Sequence, residues 1–100
     1  MKLDELRVRI DEIDQSIIEL LEKRLEIAVK IGEYKKGNNL PIEDSDREYE
    51  KLKKISDISS PEFSLYNQMV FMNIISVSKK IQSKIVLDHE GLDDNTEDKE

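Results

Sequence analysis

From Leu3 to Ile31 the chain contains neither proline nor glycine, and large apolar residues recur at Leu6, Ile10, Ile13, Ile17, Leu20, Ile27, Ile31 and Tyr34. The steps alternate between four and three residues with one gap, which is a heptad seam held for about four repeats. A helix from Leu3 to Tyr34 is about 50 Å long, at about 1.5 Å per residue. That exceeds what a chain of 100 residues can wrap by itself. Leu21, Leu25 and Ala28 widen the stripe, so more than one helix has to pack on it. Only 37% of the residues are hydrophobic, low for a chain of this size that buries its own core, and a partner is expected to complete it.

The remainder reads as two further helices. Lys35 and Lys36 form a basic last turn, followed by a Gly37-Asn38-Asn39 stop and the extended link Leu40-Pro41-Ile42. Ser45-Asp46-Arg47-Glu48 has the spacing of a capping box, so a second helix is expected from Ser45, with Tyr49, Leu52 and Ile55 on its apolar face. It ends around residues 57–59. Ser60-Pro61 reads as the cap and first position of a third helix, which carries Leu65, Met69, Met72, Ile75, Ile81 and Ile85 and runs to about Leu87. With 3 Gly and 2 Pro there are too few turns for a many-stranded β fold. The expected class is all-α, with one long, one short and one medium helix.

Charge divides the chain into a domain, residues 1–87, and a tail, residues 88–100. The tail holds seven acids against Lys99, which accounts for −6 of the total −7 and leaves the domain nearly neutral. Its one large apolar residue, Leu92, cannot offset the entropy of ordering it, so disorder is expected there. The acidic balance argues against a nucleic-acid partner. No apolar run reaches membrane length and no apolar region follows Met1, so no membrane partner and a cytoplasmic location are expected. The absence of Cys rules out disulfides, thiolate metal sites and thiol nucleophiles.

The gap in the first seam is Arg24, at the heptad position between Leu20 and Ile27. A guanidinium there must be paired or must bind an anion, because an unpaired buried charge is very costly. Lys35, eleven residues on, returns to nearly the same face. In the third helix Ser78 and Gln82, an i,i+4 pair, interrupt the stripe between Ile75 and Ile85. One reading is a carboxylate-rich small molecule held inside a helical bundle. The plainer readings are an Arg24–Glu48 ion pair or a snorkelling Arg24 stem, a register-fixing hydrogen bond through Ser78 and Gln82, a helix-dipole role for Lys35, and a cap for the second helix from Asp44.

Three stretches carry a family likeness: the first helix from Leu6 to Lys35, the following Pro41-Ile42-Glu43-Asp44-Ser45-Asp46-Arg47-Glu48, and Ser76-Val77-Ser78-Lys79-Lys80-Ile81-Gln82. Together they resemble the all-helical class of chorismate mutases over residues 3–86. The resemblance implies an intertwined homodimer that converts chorismate to prephenate, the branch-point step toward phenylalanine and tyrosine, without metal or cofactor. It also implies roles. Arg24 and, from the other subunit, Arg7 would bind the substrate carboxylates. Lys35 would meet the ether oxygen and a carboxylate, and Gln82 would approach the same ether oxygen. Glu48 would take the ring hydroxyl with Arg47 in support, and Asp44 and Ser78 would complete the contacts. The catalytic set is thus Lys35, Gln82, Glu48 and Arg24.

Two independent considerations agree with that picture. Arg7 and Arg24 lie seventeen residues apart, about 25 Å along one helix, so one chain cannot grip a small molecule with both. Two first helices packed antiparallel about Gln15 and Ser16 would bring Arg7 of one chain opposite Arg24 of the other. The pericyclic rearrangement of chorismate needs no nucleophile, only a compact conformer and donors aimed at the ether oxygen. The rival readings are an isochorismate-pyruvate lyase on the same scaffold and a non-catalytic dimerisation module whose seam polars set register.

Overall fold

A computed structural model describes residues 2–90, with side chains described to Leu87; most of the acidic tail therefore lies outside the described residues. Three helices follow one another: α1 (Leu3–Gly37), α2 (Ser45–Ile58) and α3 (Ser64–Glu90). No strand occurs among the described residues, and no helix there is long and apolar enough to cross a membrane.

The 35 residues of α1 form one unbroken rod. Asp4 and Glu5 sit in its first turn and Lys35 and Lys36 in its last, each charge complementing the helix dipole. The Glu5 carboxylate accepts the backbone N–H of Lys2 at 3.1 Å. The stop is made by asparagine rather than glycine. Gly37 stays helical and Asn39 takes the left-handed conformation at φ 55°. The Leu40 N–H reaches back to the Lys35 carbonyl at 2.8 Å and the Asn39 N–H to the Lys36 carbonyl at 3.3 Å, the paired bonds of a Schellman motif.

The second helix begins as expected at Ser45, but its cap is Asp44. The Asp44 carboxylate accepts the Arg47 N–H at 3.1 Å, so the Ser45–Glu48 box is not formed. The third helix begins at Ser64, later than Ser60-Pro61 suggested. Residues 61–63 make a separate turn in which the Phe63 N–H reaches the Ser60 carbonyl at 3.0 Å. Side chains lock this hairpin: Ser56 Oγ meets Ser64 Oγ at 3.1 Å, and Asn67 Nδ2 donates to Ser59 Oγ at 2.9 Å. At its far end α3 continues three residues past Leu87, to Glu90.

The α3 helix packs on both others. It runs antiparallel to α2, since Glu48 meets Lys79 while Ser56 meets Ser64. It runs parallel to α1, since Arg24 meets Ser78 and Ala28 meets Gln82. At Gly32 α1 and α3 approach closely: an added Cβ would lie 3.3 Å from the Gln82 Cα and 3.2 Å from the Ile85 Cδ1. The chain spans only 17 Å in its thinnest direction, too thin to enclose a core. Among the described residues Ala28 and Ile55 are the buried apolar side chains, whereas Leu6, Ile10, Ile13, Ile17 and Leu20 are 46–66% exposed. The apolar seam of α1 is therefore largely exposed along its whole length, Ile27, Ile31 and Tyr34 included.

Candidate active site

A cleft of about 460 Å³ opens between the C-terminal half of α1, the start of α2 and the middle of α3. Its apolar wall is Ile27, Ala28, Ile31, Ile42 and Ile75. Seven of the eight residues expected to form a site line it: Arg24 and Lys35 from α1, Asp44 before α2, Arg47 and Glu48 in α2, and Ser78 and Gln82 in α3. Arg7, exposed near the other end of α1, is not among the lining residues.

Arg24 donates from Nη1 to Ser78 Oγ at 2.6 Å, and Ser78 passes its own proton to the Ile74 carbonyl at 3.0 Å. The hydroxyl is thereby fixed as an acceptor that orients the guanidinium. Four of the five guanidinium N–H groups remain for other partners. The Arg24–Glu48 pair that one reading of the seam allowed is not formed. Glu48 instead meets Lys79 of α3 at 3.2 Å, and Lys79 also holds Glu43 at 3.2 Å. The hydrogen bonds that Lys79 donates to Glu48 first, then to Glu43, raise its pKa above the ordinary value. Because Asp44 rather than Ser45 caps α2, Glu48 is released from capping and can reach this cleft.

Gln82 is 6% exposed and donates from Nε2 to the Ala28 carbonyl at 3.1 Å. An acceptor at that position assigns the amide orientation, and the second N–H of the same nitrogen is left for a ligand. Lys35 donates to the Ile42 carbonyl at 2.9 Å, tying the link to the end of α1 and leaving two ammonium protons. Its partner is thus a carbonyl of the link, not the helix terminus.

Two lining residues were not anticipated from the sequence, Lys51 and Lys79. Lys51 lies one turn after Arg47 on the same face of α2, and Lys79 adjoins Ser78; those spacings were the available signal. Burial lowers the Lys51 pKa, and the positive charges of Arg47, Arg24 and Lys54 lower it further. The lining as a whole holds five cations and two carboxylates. Such a surface suits an anionic ligand of small size, with one amide donor on its apolar wall. Among the described residues no cluster of acids or histidine suits a metal ion.

Comparison with known proteins points the same way. The sequence model of the family described as chorismate mutase type II matches residues 6–83. A bifunctional chorismate mutase/prephenate dehydratase from Aquifex aeolicus is 35% identical over 97 residues, which cover 90% of this chain and 26% of that protein. A chorismate mutase from Methanocaldococcus jannaschii is 39% identical over 57 residues, covering 54% of this chain and 58% of the relative. These curated relatives thus extend well beyond the portion this chain matches. Among solved structures, a conserved hypothetical protein from Pyrococcus furiosus superposes with a TM-score of 0.66 at 49% identity, over 80% of this chain and 93% of that one.

Proposed function

We propose, from the premise that this chain belongs to the chorismate mutase type II family, that it converts chorismate to prephenate in aromatic amino acid biosynthesis. The observation that carries the reading is the convergence of Arg24, Lys35, Glu48 and Gln82 on one cleft from three different helices or their ends.

The reaction breaks a C–O bond and forms a C–C bond within one molecule. Its demands are a folded substrate conformer and stabilisation of the ether oxygen as negative charge grows there. Arg24, held by Ser78, presents a fork to one substrate carboxylate. Lys35 and the free N–H of Gln82 donate to the ether oxygen, and a single well-placed donor of this kind is worth about 3–4 kcal/mol in the transition state. Glu48 accepts the ring hydroxyl, while Arg47 and Asp44 shape that end of the cleft. Ile27, Ile31 and Ile75 give the cleft an apolar wall against which the substrate ring packs.

The second carboxylate requires Arg7 of a partner subunit. Two copies pair through the exposed Leu6–Leu20 seam, with α1 antiparallel to α1 about Gln15 and Ser16. This intertwined homodimer covers the outward apolar stripe and completes two equivalent sites. The thinness of the single chain and the placement of Arg7 outside the cleft support it.

The test is to mix purified protein with chorismate, follow the loss of its ultraviolet absorbance, and identify the product. Prephenate is expected; pyruvate would indicate a lyase instead. Arg24→Ala should abolish turnover and leave a folded dimer. Failure of the folded wild-type protein to consume chorismate would overturn the proposal.

A further inference from the structure

The cleft carries more positive charge than its internal partners neutralise. Lys79 is paired with Glu43 and Glu48, Arg24 rests on a neutral hydroxyl, and Lys35 rests on a neutral carbonyl. Lys51 lines the same cleft and has no acidic partner among the described residues. It is partly buried, and the like charges of Arg47 and Lys54 on its own helix and of Arg24 on α1 act on it, while Glu48, three residues before it in the same lining, is held by Lys79. A half-buried ammonium beside several like charges is a disfavoured arrangement, and an anion between Lys51 and Arg24 relieves it.

We infer that Lys51 is a further substrate-binding residue, a cationic arm that captures a carboxylate of the ligand beside Arg24. The inference rests on the reading of the cleft as a dicarboxylate site. An ammonium acts here as a point charge with no fixed geometry toward the ether oxygen. Its contribution is accordingly the same for bound substrate and transition state, and it appears in KM rather than kcat.

The test compares wild type, Lys51→Met and, as a control one turn away outside the cleft, Lys54→Met. Lys51→Met should raise KM for chorismate about five- to tenfold with kcat within about twofold, and should flatten the dependence of KM on ionic strength. Lys54→Met should match wild type. Circular dichroism should show Lys51→Met folded, since the substitution removes repulsion rather than a bond. An unchanged KM and salt dependence would overturn the inference, and so would a loss confined to kcat. A second readout does not need turnover: the Lys51 side chain is titrated by carbon NMR with and without malonate. Bound dicarboxylate should move its pKa back up toward the ordinary lysine value, and a pKa indifferent to saturating malonate would overturn the inference. Wild type that ignores chorismate but shows the malonate response would refute the proposed reaction while leaving Lys51 as an anion-binding residue.

Discussion

Replacing Gln82 by glutamate changes one N–H donor into a group that donates only when protonated. The side chain is 6% exposed and its Nε2 sits 3.1 Å from the Ala28 carbonyl. An ionised carboxylate there would place negative charge against a carbonyl oxygen in a desolvated seam, whereas the acid form can keep the Ala28 bond. Burial of this degree raises a carboxyl pKa by about two to three units above its usual value near 4.3. At about 1.4 kcal/mol per unit, Gln82→Glu should cost about 3–4 kcal/mol of stability at alkaline pH. The sign follows from the raised folded-state pKa. The penalty is absent below the unfolded value, grows as pH rises between the two values, and is constant above the folded one. Activity should track the acid form, nearly complete at pH 5 and falling about tenfold for each pH unit above about 7. The assay is initial rates of chorismate loss from pH 4.5 to 9, with urea unfolding at each pH. A variant as active as wild type at pH 8 would refute the donor role assigned to Gln82.

Three other substitutions probe the scaffold. Gly32→Ala would place a Cβ 3.1 Å from Gln82 Cγ and 3.3 Å from its Cα, forcing α3 outward. The overpacking of about 1–3 kcal/mol should outweigh the helix-propensity gain of about 1 kcal/mol, so urea unfolding should show a net loss and kcat should fall as Gln82 shifts. Asp44→Ala removes the acceptor of the Arg47 N–H and should lower unfolding free energy by about 1 kcal/mol, with Asp44→Asn largely restoring it in the same assay. Lys79→Met removes the links to Glu43 and Glu48. Because the folded Lys79 pKa is raised above 10.5, its contribution is fully present below that pH and lost as pH rises through the folded value. The gap in melting temperature between wild type and variant should therefore close at high pH, and should narrow in high salt.

The three-helix plan was legible because a four-three apolar period without Pro or Gly admits little else than a long helix. Boundaries were less so, for chemical reasons. Asp44 and Ser45 are both good caps, and nothing in their order says which oxygen reaches the Arg47 N–H. The choice matters, because a Ser45 cap would have engaged Glu48 and the Asp44 cap leaves it to Lys79. Pro61 suits the first turn of a helix equally well as an isolated turn, and the hydrogen bonds of Ser56, Ser59, Ser64 and Asn67 decide for the latter. Seam polars proved the more readable part of the candidate site: Arg24 and Ser78, each out of place on an apolar stripe, meet directly. Lys51 and Lys79 escaped notice because lysine on a helix usually marks a solvated face, and only the packing of α3 against α2 turns them inward.

A site shared between two chains can be rebuilt from two defective ones. Arg7→Ala and Arg24→Ala homodimers should each fail to turn over chorismate, since each lacks one arm in both sites. Unfolded together and refolded as an equal mixture, half of the dimers should pair one chain of each kind and hold one intact site. Turnover should then return to about a quarter of the wild-type rate. No recovery on mixing, or full activity of Arg7→Ala alone, would contradict a cleft completed by Arg7 of a second copy.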